Sequence, residues 1–330
     1  MKHALVPVVS LTLLLVGIAP VHGEERQGSP PAGLNRLQDA FRSNSFVAYT
    51  PSKYSPLAGA AGKAKREAIH EDLQKLHLHF DVLVTYSCSA EQGVSDIVPC
   101  ASEEGFRVVL GIWDVKSVRE IEAAIAQARA YSNTVIGVIV GNETMLRGEK
   151  WENLEAAISL VRAALPGVPV STSEPITSYG NADLREIVDF HSPTCHWLFQ
   201  GGNRTNVQSA VAWLNERIHS LREMPAGDKL VLIKEHGLPS GPEPFSAKLQ
   251  REYWALCAAQ MPLSSNYASV FFEGFDLPWK SRTNPSEVGA AEAHWGAFDT
   301  NGVAKPVVAI LPRREAPGAD SSNSGKASNR

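Results

Sequence analysis

Short apolar runs alternate with longer amphipathic segments over most of the chain. Several of the runs are almost continuously aliphatic, which is typical of strands that are covered on both faces. The pattern predicts strands at residues 46–50, 80–86, 107–113, 135–141, 168–172, 189–198, 229–234 and 269–275.

The segments between these runs carry helical periodicity. In residues 117–131, Ser117 stands in N-cap position, Glu120 follows three places later, and apolar residues then recur at helical spacing. Residues 151–165, 206–221 and 245–260 have a similar pattern. Strands that alternate with helices predict a parallel α/β sheet, and eight such units can close into a (β/α)8 TIM barrel. A doubly wound open sheet is the alternative, and the lack of a glycine-rich nucleotide-binding motif in the sequence disfavours it.

The two ends of the chain differ from its centre. A basic start and a short apolar run precede Gly23 and a polar stretch, which predicts a signal peptide with cleavage near Gly23. The run is short and contains two prolines, so we expect no membrane anchor and a secreted or periplasmic protein. The predicted organisation is a signal peptide at 1–23, a polar lead-in at 24–44, a single barrel domain at 45–312 and a disordered tail at 313–330.

Composition narrows the class of partner. The 330 residues carry a formal net charge of −4 and no basic stripe, which disfavours nucleic-acid binding. The four cysteines lack the spacing of zinc ligands, and we expect no metal site. In an exported protein Cys88 and Cys100 could form a disulfide or remain thiols, whereas Cys195 and Cys257 fit buried thiols.

Two of the predicted strands end in a glutamate. The run VIGVIVGNE ends at Glu143, and the run KLVLIKEHGLPSG contains Glu235 where its apolar part stops. A parallel barrel carries its active site at this end of its strands. Cleavage of a glycosidic bond requires one protonated and one ionised carboxyl group. We therefore expect Glu143 to be the acid and Glu235, which Lys234 and His236 flank, to be the nucleophile.

Each glutamate taken alone has an ordinary alternative, because acidic residues are common in the first turn of the helix that follows a strand. The occurrence of two such glutamates at strand ends favours a functional pair. In a retaining enzyme their carboxyl groups would lie about 5–5.5 Å apart. This chemistry needs neither redox change nor a Lewis acid, so we expect no cofactor.

The motifs at the predicted strand ends resemble those of the family 17 glycoside hydrolases, over about residues 46–308. The matches in chain order are AYTPS at 48–52, TYS at 85–87, LGIW at 110–113, GNE at 141–143, EHGLPSG at 235–241, FFEGFDLPWK at 271–280 and HWGAFD at 294–299. The last two, and the sequence after Glu143, are similar to the microbial branch. Plant members have TGWPS after the nucleophile where this chain has HGLPS, so their subsite preferences are not carried over.

The resemblance implies a TIM barrel that acts mainly on β-1,3-glucan, with Glu143 as acid/base and Glu235 as nucleophile. Asn142 is expected to hydrogen-bond a sugar hydroxyl, Tyr86 to orient a carboxylate and Trp279 to present a flat face to a sugar ring. Core packing is the alternative for Tyr49 and Tyr86. The matching motifs imply that the cleft contains Tyr49, Tyr86, Asp114, Asn142, Glu273, Asp276, Trp279 and Lys280.

Three functions are compatible with these residues. The first is a secreted retaining β-1,3-glucan hydrolase, and the second is a glucanosyltransferase in which a sugar hydroxyl replaces water. The third is a barrel that only binds glucan, which the presence of both glutamates disfavours. In each case the expected partner is a β-glucan polysaccharide or oligosaccharide that lies across the loop face of the barrel.

Overall fold

The structure is a computed structural model that describes residues 31–43, 45–261, 264–283 and 288–314. The predicted signal peptide and nearly all of the predicted tail lie outside the described residues. Within them, no helix has the length and apolar character that crossing a membrane would require.

All the strands expected from the apolar runs are present, and the seventh is divided at Lys234 into two segments. The strands are β1 (Phe46–Tyr49), β2 (Val82–Thr85), β3 (Arg107–Ile112), β4 (Val135–Asn142), β5 (Val170–Ser173), β6 (Thr194–Cys195), β7 (Val231–Ile233), β8 (Glu235–His236) and β9 (Tyr267–Phe271).

Helices lie between the strands, as the amphipathic segments predict. The α-helices are α1 (Leu34–Ser43), α2 (Arg66–His77), α3 (Ile97–Glu103), α4 (Val118–Ala130), α5 (Trp151–Ala164), α6 (Ala182–Ile187), α7 (Val207–Glu223), α8 (Ala247–Gln260) and α9 (Lys280–Thr283). Short 3-10 helices cover Pro56–Gly62, Ile176–Gly180, Trp197–Phe199, Gly289–His294 and Pro306–Ile310.

The strands form a closed parallel barrel. Seven of them pair in the order β5-β4-β3-β2-β1-β9-β7, and β6 pairs with β8. Parallel bridges from Pro175 to Thr194 and from His191 to Val231 join the sixth strand to its neighbours on both sides. Every residue of β4 is buried, in keeping with a strand between a filled interior and a helical layer. The predicted TIM barrel is confirmed.

Helix α1 lies in the interval predicted as a polar lead-in. Its Leu37, Ala40 and Phe41 are fully buried, which matches one face of a helix. Arg36 donates hydrogen bonds to the carbonyls of Ser132 and Asn133, immediately before β4. The helix therefore covers the end of the barrel at which the strands begin, opposite to the expected active site.

The capping pattern predicted at Ser117 and Glu120 is formed in part. The Ser117 hydroxyl accepts a hydrogen bond from the Glu120 amide, as the predicted N-cap requires. The Glu120 carboxylate instead accepts from the amides of Trp113 and Asp114, at 2.8 and 3.1 Å, and holds the turn after β3. All four cysteines are buried free thiols, including Cys88 and Cys100, so the disulfide is not formed.

Candidate active site

Glu143 and Glu235 lie at the same end of the barrel. Glu143 directly follows β4, and its amide donates a hydrogen bond to the Ser173 carbonyl at the end of β5, at 2.6 Å. Glu235 opens β8, where it pairs in parallel register with Thr194 of β6. The Thr194 hydroxyl donates to Glu143 Oε1 at 2.7 Å, so one residue of β6 contacts both glutamates.

The chain turns sharply at Gly141 and Glu143. Gly141 has a φ of +79°, and a Cβ there would lie 2.2 Å from the Thr144 hydroxyl. Glu143 has a φ of 50°, a region that non-glycine residues enter at a cost and mostly at functional sites. The glycine of the GNE motif is thus required for the turn that brings Glu143 to Thr194.

The Glu235 carboxylate is buried and has a partner for each oxygen. The Tyr86 hydroxyl donates to Oε1 at 3.0 Å, and His196 Nε2 lies 2.9 Å from Oε2. Burial by itself would raise the pKa of Glu235, but the hydrogen bond and charge of His196, with Lys234 and Lys280, lower the pKa to about 2. Glu235 is therefore a carboxylate near neutral pH.

The pKa of Glu143 is shifted in the opposite direction, upwards. Burial and the negative charge of Glu235 raise the pKa of Glu143, and the charge of His196 and the hydrogen bond from Thr194 oppose that rise only in part. Neighbouring carboxyl groups whose environments move their pKa values apart are the usual arrangement of an acid and a nucleophile. This geometry supports proton donation from Glu143 beside an ionised Glu235.

Lys234 and Asn142 link the two strands that carry the glutamates. Lys234 is only 1% exposed, and its Nζ donates to Asn142 Oδ1 at 2.6 Å. The ammonium also lies 4.2 Å from the centre of the Tyr86 ring. Burial lowers the pKa of Lys234 to about 8, although Glu235 and Glu143 favour its charged form.

A cavity of about 580 Å³ opens beside Glu235 and Asn142. Its wall is mainly apolar and includes several aromatic side chains, which suit the apolar faces of sugar rings. Trp279 packs edge-on against Tyr54 at a centroid distance of 6.0 Å, and the Arg147 guanidinium lies 4.2 Å from the centre of Trp113. The lining includes Tyr49, Tyr54, Tyr86, Trp113, Phe272, Trp279, Lys280 and Arg147.

The expected cleft residues divide into two groups. Tyr49, Tyr86, Asn142, Trp279 and Lys280 line the cavity. Tyr49 does so from the core, since it is 1% exposed and its hydroxyl donates to Asp72 Oδ2 at 3.1 Å. Glu143 is not among the lining residues, because its carboxyl group faces β6.

Asp114, Glu273 and Asp276 also stand outside the cavity lining. The Asp114 carboxylate accepts a hydrogen bond from the Lys116 amide at 2.9 Å and so closes its own turn. Lys280 Nζ lies 2.7 Å from both oxygens of Glu273, and Lys305 pairs with Asp276. Each of these carboxylates therefore has a hydrogen-bond or ion-pair partner of its own.

Sequence reasoning missed Glu174 and assigned no role to His196. Glu174 follows β5, is fully buried, and accepts hydrogen bonds from the amides of Thr144 and Met145. Burial raises the pKa of Glu174 to about 7, and the charge of Glu143 adds to that rise. A glutamate after the predicted strand at 168–172 was the available signal for this residue. Among the described residues no cluster of histidine, cysteine and acidic side chains could hold a metal ion.

Comparison with known proteins shows which proteins the chain is similar to. Residues 47–296 match the family model described as the BtgE/BtgC glycoside hydrolase domain. The chain is 26% identical over 269 residues to a glucan 1,3-beta-glucosidase of Arthroderma benhamiae, covering 72% of this chain and 83% of that protein. It is 22% identical to a glucan 1,3-beta-glucosidase of Saccharomyces cerevisiae, covering 73% of this chain and 84% of the other.

Solved structures show the same fold. An endo-laminarinase from Formosa superposes with a TM-score of 0.67 at 18% identity, covering 88% of this chain and 94% of that one. A glycoside hydrolase family 17 β-1,3-glucanosyltransferase from Rhizomucor miehei superposes with a TM-score of 0.64 at 20% identity, covering 81% and 97%. These comparisons confirm the resemblance drawn from the motifs.

Proposed function

The chain belongs to the BtgE/BtgC glycoside hydrolase family, and on that premise we propose that it cleaves β-1,3-glucan with retention of anomeric configuration. Glu235 is the proposed nucleophile and Glu143 the proposed acid/base. The observation that carries the proposal is the pairing of an ionised, twofold hydrogen-bonded Glu235 with a neighbouring carboxyl group whose pKa is raised.

In the first step, a Glu235 oxygen attacks the anomeric carbon while the bond from that carbon to the leaving oxygen breaks. Glu143 transfers its proton to the leaving oxygen, so the departing sugar leaves as a neutral alcohol. The glucosyl unit remains bound as an ester of Glu235. Its formation consumes the negative charge that raised the pKa of Glu143, which favours Glu143 as a carboxylate for the next step.

In the second step, Glu143 accepts a proton from an incoming water, and the water oxygen attacks the anomeric carbon of the ester. The bond to Glu235 breaks and the carboxylate is regenerated. Two displacements at one carbon retain its configuration. This mechanism requires the two carboxyl groups to lie about 5–5.5 Å apart.

The side chains that line the cavity and the family of the chain both support a glucan substrate. Broad aromatic faces, with a few polar groups at Glu235, Asn142 and Lys280, fit a chain of neutral pyranose rings. The named relatives act on β-1,3-glucan, as their descriptions state. We propose the same linkage for this chain, with export on the basis of its N-terminal pattern.

Transfer to a second glucan is the alternative outcome of the same intermediate. An apolar wall favours it, because aromatic surfaces hold an acceptor sugar and exclude water from the ester. One of the structural neighbours is described as a β-1,3-glucanosyltransferase.

One experiment separates these readings. The enzyme is incubated with laminarihexaose, and the first products are followed by proton NMR and by chromatography. Products that first appear as the β-anomer support the retaining mechanism, and first products in the α-configuration contradict it. Chains longer than the hexamer establish transfer, and tight binding without turnover would show a glucan-binding barrel.

A further inference from the structure

Lys234 is a buried lysine that contacts the side-chain amide of Asn142 at the end of β4. Lys234 stands between β7 and β8, and its own amide donates to the Pro193 carbonyl of the sixth strand at 2.9 Å. Lysine is almost never fully buried without a partner. Among the described residues its side chain has a single hydrogen bond, to the neutral amide of Asn142 rather than to a carboxylate.

This contact determines which way the Asn142 amide faces. An ammonium group has three donors and no acceptor, so the atom 2.6 Å from Nζ is the oxygen Oδ1. The oxygen and the nitrogen of an asparagine amide have similar shapes, so the hydrogen-bond network determines which of the two occupies each position. With Oδ1 held by Lys234, Nδ2 points away from the ammonium. No described residue accepts a hydrogen bond from Nδ2, and Asn142 lines the cavity.

The ammonium of Lys234 has a second contact, with the ring of Tyr86. Nζ lies 4.2 Å from the centre of the Tyr86 ring, and the hydroxyl of that ring donates to Glu235. A cation over an aromatic face is attracted to it, and more strongly when it is buried. Lys234 is therefore held by contacts with both Tyr86 and Asn142.

We propose that Lys234 is a positioning residue that aims the Asn142 Nδ2 group at the 2-hydroxyl of the sugar being cleaved. This inference rests on the proposed function and deepens it. Hydrogen bonds to the 2-hydroxyl strengthen in the transition state of glycoside cleavage. The ionised Glu235 nearby can only accept hydrogen bonds, so a hydroxyl that donates to Glu235 needs a donor as its other partner. The Nδ2 group of Asn142 supplies that donor. If the amide were turned round, Oδ1 would face the hydroxyl and could only accept a hydrogen bond.

The test uses two substrates that differ by one hydroxyl. They are 4-nitrophenyl β-laminaribioside and its analogue that lacks the 2-hydroxyl on the ring joined to nitrophenol. Lys234→Met should lower kcat/KM about 10-fold or more on the first substrate and leave it nearly unchanged on the second. Asn142→Ala should show the same selectivity, and the double variant should lose little more than either single one.

A matched control lies near the start of the same strand. Lys229 Nζ donates to the backbone carbonyls of Arg185 and Val188, away from Asn142. Lys229→Met replaces the same side chain and should affect both substrates equally. Equal losses for Lys234→Met on the two substrates would overturn the proposal, because they would assign Lys234 to the charge of Glu235.

A neutron crystal structure of the unmodified protein tests the orientation without any turnover or variant. Deuterons on the side-chain nitrogen of Asn142 should point into the cavity, with Oδ1 toward Nζ. An amide with Oδ1 in the cavity would overturn the inference. If the unmodified enzyme acts on neither substrate, the proposed function fails, and this measurement still decides the orientation of the amide.

Discussion

His196 Nε2 lies 2.9 Å from Glu235 Oε2, deep in the barrel mouth. Burial alone would lower the pKa of His196, yet the hydrogen bond and charge of Glu235 outweigh it and raise that pKa. The same contact is the main influence that lowers the pKa of Glu235. The two groups therefore stabilise each other as an ion pair, and the proposed nucleophile stays ionised well below neutral pH.

Replacing His196 should move the acid limb of the activity profile. In His196→Gln the side chain is neutral, so the positive charge that lowers the pKa of Glu235 is lost. Burial then raises that pKa from about 2. Activity should then be lost at a higher pH as the solution is acidified, measured as kcat/KM against pH. Tyr86→Phe is the comparison, since it removes a neutral hydrogen bond from the same carboxylate and should shift the limb less. If the acid limb of kcat/KM is unchanged in His196→Gln, His196 is not the group that keeps Glu235 ionised at low pH.

A small anion should partly restore the activity that is lost when Glu235, the proposed nucleophile, is replaced. Glu235→Ala should lower kcat by roughly 10⁴-fold or more, because no carboxylate is left to attack the anomeric carbon. Azide can occupy the vacated space and should restore part of the turnover on an aryl glucoside, with a glucosyl azide as product. Glu174→Gln, which leaves both catalytic carboxyl groups in place, serves as the control. Substantial activity of Glu235→Ala without azide would exclude Glu235 as the nucleophile.

Replacing Glu143, the proposed acid, should slow substrates with poor leaving groups the most. Glu143→Gln should lower the rate on laminari-oligosaccharides by roughly 10²–10⁴-fold, and much less on dinitrophenyl glucosides, which leave without a proton. The pKa of Glu143 is raised, so the wild-type rate should fall as pH rises through that value. This alkaline limb should disappear in Glu143→Gln. Equal losses on both kinds of substrate would argue for a purely structural role.

Trp279 should contribute to binding rather than to the chemical step. Its ring lines the cavity, where the flat apolar face can stack against a sugar ring. Trp279→Ala should raise KM for laminarihexaose by about 10-fold with little change in kcat. Trp279→Phe keeps a flat face and should recover most of the affinity. A fall in kcat alone would place Trp279 in the chemistry instead.

Glu174 should make the protein less stable as pH rises. Its pKa is about 7 in the folded state, above the usual value for an unfolded glutamate, so the folded protein binds the extra proton. The corresponding stability is present at acidic pH and is lost as pH rises through about 7. Glu174→Gln keeps an acceptor for the Thr144 amide and should remove this loss, on the order of 2 kcal/mol, in urea unfolding at pH 4.5 and 8. The same pH slope in both proteins would show that Glu174 is not its source.

The alternation of apolar runs and amphipathic segments was enough to predict the barrel and its eight strand positions, because strand and helix periods are local properties of a sequence. The same pattern predicted Glu143 and Glu235 where apolar runs stop, and parallel strands bring such positions to one rim, although Glu235 itself opens the short strand β8. Helix α1 escaped prediction because its short apolar face lies in a polar segment and acquires meaning only against the bottom of the barrel.

The chemistry within the site depends on contacts between distant parts of the chain. Nothing near Glu235 in the sequence shows that His196 and Tyr86 hold its two oxygens, or that Lys234 reaches Asn142. Glu273 stands in a family motif, but the motif does not show that its carboxylate pairs with Lys280. The spacing of the apolar runs brought Glu143 and Glu235 to the barrel mouth but did not identify Glu174. Only the tertiary structure decided which of them is ionised, because burial and the distances to neighbouring charges arise when the strands close.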